Sequence, residues 1–260
     1  MVTVKVDLST DLDRLEIHTL SDWHIGDKSC KLNEIKAVLE HIKNTPEAYA
    51  ILNGDLMNNA TKQSVSDSYS EVMTPTEQLQ TLCDLIEPIK DKVLFITQGN
   101  HEHRTFKTDG IDLTALMAKQ LGIYDKYARV GGVLFVRFGK LRGNQHGRRV
   151  CYTFYITHGS SGGGGKKEGG KANGLCDLAS IVDTDIYLHS HTHLPMVIKE
   201  NFFRIDTANS CVKEIEKLFV NAAASLSYGG YGQEFKFKPA NSTSPIIYLD
   251  GHKKRFTATL

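Results

Sequence analysis

Apolar and polar positions alternate along residues 15–20 (Leu-Glu-Ile-His-Thr-Leu), and the run stops just before Asp22, which predicts a half-buried strand. Leu32, Ile35, Val38, Leu39 and Ile42 then recur at helical spacing. Residues 48–52 (Ala-Tyr-Ala-Ile-Leu) form an apolar strand-like run that ends at Gly54-Asp55, and residues 58–73, rich in Ser, Asn and Thr, read as a surface excursion. Thr74, Pro75 and Glu77 are an N-cap, a first helical residue and a capping-box partner; they open a helix whose apolar face is Leu79, Leu82, Ile86 and Ile89. Residues 93–97 form the next buried strand and lead to Asn100-His101. Strands alternating with helices predict a sheet with helices outside it.

The second half reads mostly as strands. Residues 133–138 and 150–157 predict a hairpin around a basic turn at 140–149, and residues 185–188 run toward His191. Further strands are expected at 196–199, 202–206, 235–237 and 246–249, the last joined to 256–259 by an Asp250-Gly251 turn. The composition of residues 159–174, with eight glycines and three lysines, predicts a flexible loop. With no other boundary in view, residues 1–260 are expected to be one domain.

Composition narrows the function classes. At 260 residues, 40% hydrophobic and 23% charged, the chain has the makeup of an ordinary globule able to bury a core. A net charge of +1 gives no global pull toward nucleic acid. The five cysteines are scattered, without a C-x-x-C pair, which favours a reducing cytoplasmic setting. The opening Val-Thr-Val-Lys-Val-Asp lacks a basic stretch followed by an apolar one, and no apolar run reaches membrane-spanning length.

Five short patches of metal-ligating residue types follow strand-like runs: Asp22-Trp23-His24, Gly54-Asp55, Gly99-Asn100-His101-Glu102, His158-Gly159 and His191-Thr192-His193. Strand ends can bring such patches to one point, and Asp, Asn and His without a thiolate suit hard or borderline divalent cations. In this order the patches resemble the calcineurin-like metallophosphoesterases, whose pattern runs D-x-H, G-D, G-N-H-[DE], a lone H and G-H-x-H. The one departure is Ser190, where the family usually has glycine.

The resemblance implies an α/β fold, a two-sheet β-sandwich flanked by helices (α/β/β/α), and two divalent metal ions, Mn2+ first, with Fe or Zn2+ as alternatives. It implies that Asp22, His24 and His193 hold one ion, that Asn100, His158 and His191 hold the other, and that Asp55 bridges them. The pair would activate a water for attack at phosphorus, with His101, not a ligand, stabilising charge or protonating the leaving oxygen. In an extended segment residues two apart share a side, so Asp22 with His24, and His191 with His193, are each expected to face one site.

Several other residues admit more than one reading. Arg104 could grip a substrate phosphate or pair with Glu102 or a neighbour at the surface, and the second reading is the simpler. The basic run Arg137, Lys140, Arg142, Arg148 and Arg149 fits either a phosphate-backbone contact or a solvated hairpin tip. The Gly/Lys stretch fits a lid over the metals or a spacer, and His189 fits either a support for His191 or an ordinary packed histidine. The sequence departs from the Ser/Thr phosphatase pattern, since Gly54-Asp55 continues Leu-Met-Asn-Asn and Gln98 precedes Gly99. The expected activity is therefore that of a phosphodiesterase or nuclease acting on a phosphate ester of a nucleotide or nucleic acid, with no membrane partner. The alternatives are a phosphomonoesterase and a non-catalytic, partner-binding member of the fold.

Overall fold

The computed structural model of the chain describes residues 1–61, 64, 71–142, 148–159, 167–229, 238–239 and 241–260. The first half supplies β1 (Val2–Asp7), β2 (Arg14–Leu20), α1 (Leu32–Asn44), β3 (Ala48–Asn53), α2 (Pro75–Ile86), β4 (Val93–Thr97), α3 (Asn100–Asp109) and α4 (Leu113–Gln120). Then come β5 (Gly132–Phe138), β6 (Val150–Ile156), α5 (Glu168–Cys176), β7 (Ile186–His189), β8 (Met196–Asp206), β9 (Cys211–Asn221), β10 (Ile246–Asp250) and β11 (Phe256–Thr259).

Two sheets result, a six-stranded one in the order β1-β5-β6-β7-β9-β8 and a five-stranded one in the order β11-β10-β2-β3-β4. Period-two alternation sorts their side chains. Leu15, Ile17 and Ile51 of the smaller sheet meet Leu134, Phe154, Ile186 and Val220 of the larger in the layer between them. Leu20, Ala48, Ala50 and Leu52 face the other way, onto Ile35, Leu39 and Ile42 of α1 and Leu82 and Ile86 of α2. On the outer face of the larger sheet, Tyr187 and Phe219 pack on Leu175 of α5 and nearby Leu178. The expected α/β/β/α layering is therefore present.

The capping box at Thr74 forms as the residues dictate. Glu77 N–H donates to the Thr74 hydroxyl, and the Glu77 carboxylate accepts from Thr74 N–H at 2.7 Å. The 133–138/150–157 hairpin pairs antiparallel as expected.

Other expectations are corrected. Residues 196–199 and 202–206 belong to one eleven-residue strand, because the polar Glu200-Asn201 pair lies where the β8–β9 hairpin runs out into solvent and needs no apolar side chains. Of the expected surface excursion, Asn58, Asn59 and Ala60 are buried, Val72 is exposed, and residues 62–63 and 65–70 lie outside the described residues. The Gly/Lys stretch is helical from Glu168 on: Lys171 Nζ donates to Thr192 O at 2.8 Å, and Glu168 pairs with Lys238 at 2.5 Å. These contacts, with Leu175 buried beneath, outweigh the poor helix propensity of glycine. Residues 160–166 of that stretch, 143–147 of the basic turn, and the expected strand at 235–237 lie outside the described residues. Among the described residues, no helix is long and apolar enough to cross a membrane.

Candidate metal centre

The five patches come together along one edge of the sandwich. β2 ends just before Asp22-Trp23-His24, β3 before Gly54-Asp55 and β7 before Ser190-His191. β6 leads to His158, and β4 leads through Gly99 into the first turn of α3, which carries Asn100 and His101. Asp22, His24 and His193 place donor atoms within 4.8 Å of one another, and so do Asp55, His158 and His191. A third such group, His24, Asp55 and His101, joins the first two. Asn100 Oδ1 lies 3.2 Å from His158 Nε2.

Backbone conformation aims these side chains, and not by the extended geometry expected. Asp22, His24, Asp55, His191 and His193 all have φ between 50° and 64°, in the left-handed region. Each strand has ended, and the chain must turn over the sheet edge. Two left-handed residues separated by one residue re-aim both side chains toward the centre. Asp and His enter this region more readily than branched residues do, yet each such residue costs of order 1–3 kcal/mol, a burden typical of functional sites. Two glycines make room. A Cβ on Gly54 would stand 2.6 Å from Gly99 N and 2.7 Å from His158 Nδ1. One on Gly99 would overlap the Asp55 backbone N and carboxylate. Ser190 fits without strain: it is fully buried, outside the left-handed region, and its hydroxyl accepts from Asn53 Nδ2 at 2.6 Å.

The donor set suits cations by several observations. Asp22 Oδ1 and His191 Nδ1 are buried with no hydrogen-bond partner, which orphans two groups that a cation would satisfy. His158 donates from Nδ1 to Asn53 O at 2.6 Å, while its Nε2 faces Asp55 Oδ2 and Asn100 Oδ1, each at 3.2 Å. Both ring nitrogens thus face oxygens. Burial opposes protonation, but the Asp55 carboxylate prevails and raises the His158 pKa to about 10. A proton here stands among three donors where a cation would sit. Asp22 shows the counterpart: burial would raise its pKa, but the charge of His193, whose Nε2 lies 3.1 Å from Oδ1 without hydrogen-bond geometry, brings it to about 2. Burial and the neighbouring His158 push His191 the other way, to about 4, so it is a neutral donor.

Asp55 is buried between the groups. Its Oδ1 accepts His101 N–H at 2.8 Å and its Oδ2 faces His158. His101 does not point at either three-residue donor set alone. Its Nδ1 donates to Asn58 O at 2.7 Å, which leaves Nε2 3.0 Å from Arg104 Nη2 and 3.9 Å from Asp55 Oδ2. Of the surface partners expected for Arg104, Glu102 is corrected, because it turns inward to satisfy backbone donors. Asn100 is exposed, His193 keeps about 35% of its side chain accessible and His101 15%, so the centre opens on that side.

Sequence reasoning missed most of the residues that hold this centre; His189, read as a support for His191 or an ordinary packed histidine, is the exception. Glu102, almost fully buried, accepts N–H bonds from Gly99, Asp55 and Met57 at 2.9, 3.1 and 2.9 Å. Burial and the Asp55 charge raise its pKa to about 7. Its place three residues after Gly99 was a readable capping signal. Ser21 donates to Asp22 Oδ2 at 2.6 Å. Asn59 Nδ2 donates to His101 O at 2.8 Å. His189 donates to Asn221 Oδ1 at 2.8 Å, and Asn221 Nδ2 in turn donates to Thr192 Oγ1 and Leu194 O, bracing the turn that carries His191 and His193.

A model of the calcineurin-like phosphoesterase family matches residues 15–195, about two thirds of the chain. Among curated proteins, the DNA polymerase II small subunit of Thermoplasma acidophilum is 29% identical over 92 residues. That match covers 33% of this chain and 19% of the relative, so the chain spans about a fifth of that protein's length. Among solved structures, a metallophosphoesterase from Sphaerobacter thermophilus has 13% identity and a TM-score of 0.40, with 95% of this chain and 88% of that one covered. Vacuolar protein sorting 29 of Cryptosporidium parvum has 14% identity and a TM-score of 0.43, with 95% and 97% covered.

Proposed function

The chain belongs to the calcineurin-like phosphoesterase family, and on that premise we propose that it is a metal-dependent phosphodiesterase or nuclease acting on nucleotides or nucleic acid. The observation that carries this reading is the convergence, from five separate segments, of Asp22, His24 and His193 and of Asn100, His158 and His191 around Asp55. Asp22, His24 and His193 would hold one divalent ion and Asn100, His158 and His191 the other, with Asp55 shared. Mn2+ is the first choice, because oxygen and imidazole donors without thiolate suit it. When bound, the two ions supply Lewis-acid polarisation of the phosphoryl group and acidification of water.

The chain's own residues do the rest. The hydrogen bond from His101 Nδ1 to Asn58 O fixes the ring with its Nε2 lone pair beside Arg104; once a phosphate draws that guanidinium away, Nε2 can take up a proton and pass it to the leaving oxygen. Arg104 beside it adds a planar cation for phosphate oxygens. Glu102 holds Asp55 from behind through the backbone. The diester preference rests on the departure of residues 54–59 and 98 from the Ser/Thr phosphatase pattern, and the DNA polymerase subunit among the relatives supports a nucleic-acid substrate.

The test is hydrolysis of bis-p-nitrophenyl phosphate and p-nitrophenyl phosphate with added Mn2+. Diester turnover is expected to dominate. Monoester preference would move the assignment to a phosphatase. Metal retention without turnover of either substrate would leave a binding protein.

A further inference from the structure

The face of β2 that turns toward α1 breaks its own pattern. Leu20 on that face is buried among apolar residues, as are Ala48, Ala50 and Leu52 of neighbouring β3. Two residues and four residues before Leu20, however, stand His18 and Glu16, with only 8% and 13% of their side chains accessible. Polar groups placed against a helix need a reason. Ala48 and Ala50 pair with Glu16 and His18 across the strands, and these small side chains leave space above the sheet. The last turn of α1 puts His41 into that space.

All three side chains converge. His18 Nε2 lies 2.6 Å and His41 Nε2 2.7 Å from the same oxygen, Glu16 Oε1. The two imidazoles stand edge to face, with centroids 5.3 Å apart. The donor atoms of the three residues all lie within 4.8 Å of one another. Two imidazoles and a carboxylate with a fourth direction open to solvent form a donor set for a borderline cation of the Zn2+ class. The present contacts are hydrogen-bond lengths, and opening each by roughly 0.7 Å would admit a tetrahedral ion.

We propose that Glu16, His18 and His41 form a third, mononuclear site for a Zn2+-class cation, which staples the C-terminal turn of α1 to β2. It lies apart from the dinuclear centre, since the strand from Glu16 to the end of β2 at Leu20, before Asp22, spans about 13 Å. It shares no ligand with that centre.

The experiment uses the full chain, stripped with a chelator and dialysed against micromolar Zn2+. Metal content is measured for the unaltered protein, for His41→Ala and for Asp55→Asn. His41 is half exposed on a helix, so its removal leaves the core intact. The unaltered protein should retain one zinc per chain more than His41→Ala, while His41→Ala keeps its Mn2+-dependent activity. In the Asp55→Asn background, His41→Ala should again remove one ion. The Zn2+-dependent rise in melting temperature should shrink in His41→Ala. Equal zinc content with and without His41 in both backgrounds overturns the site. That outcome is independent of the dinuclear reading, which Asp55→Asn tests by itself.

Discussion

Asp55 carries two duties with two oxygens. Oδ1 is spent on the His101 backbone N–H, and Oδ2 faces His158 and lies between the donor groups. Replacing it by Asn keeps the shape but removes the charge that would offset two cations. Positions that merely orient a metal ligand cost 10- to 100-fold when changed. Asp55→Asn should therefore lower turnover by about a hundredfold or more and reduce retained metal, as plasma emission spectrometry would measure; near-normal activity would remove Asp55 from the centre. His101 is the contrasting case. It belongs to no donor set without Asp55, and both of its nitrogens are engaged by Asn58 O and Arg104. His101→Ala should keep both ions yet lose roughly 10²–10⁴ in turnover, most severely with poor leaving groups. Loss of metal in that variant would make His101 a ligand instead.

At the level of elements, junctions matter more than the strands themselves. Gly99 closes β4, opens α3 and touches Asp55, so Gly99→Ala should displace the Asp55 carboxylate and empty the centre while far-ultraviolet circular dichroism stays near normal. Thr74→Ala is the control at another helix start: it should cost about 1 kcal/mol in denaturant unfolding and leave metal content unchanged. These elements were unequally legible. The α2 cap, the α1 stripe and the apolar runs of β2, β3 and β4 were readable because local pattern and burial agree there. β9 was not, because its first half lies in the solvent-exposed part of the hairpin, where Phe203, Ile205 and Val212 stay largely exposed and polar residues are tolerated. β1, an edge strand with a short alternating run, also went unread, and α5 is held by Lys171, Glu168 and Leu175 and not by propensity. The residues that meet at the centre were legible through their order along the chain. The left-handed turns that aim them were not, since nothing in Asp22 or His191 as residue types dictates a positive φ.

For the molecule as a whole, the centre is also a clasp. Asp22, His24, Asp55 and Asn100 follow strands of the five-stranded sheet, whereas His158, His191 and His193 follow strands of the six-stranded one. Each proposed ligand set therefore draws on both sheets, and an ion that binds it ties the two layers together at one edge. That edge gathers the orphaned Asp22 Oδ1 and His191 Nδ1, left-handed residues and a buried imidazolium–carboxylate contact, all of which a bound cation would help hold in place. Binding to the folded chain alone stabilises it by about 2.7 kcal/mol when free metal is a hundredfold above Kd. For a chain of this size, each kcal/mol moves the melting temperature by about 2–4 °C. Stripping with a chelator should thus lower the melting temperature by roughly 5–10 °C, and Mn2+ should restore it. In Asp55→Asn, whose two ligand sets lose their shared carboxylate, the restoration should be small. Calorimetry on the stripped and reloaded chain measures this directly. An unchanged melting temperature, with metal loss verified on the same sample, would mean that the ligands do not link the sheets through bound ions.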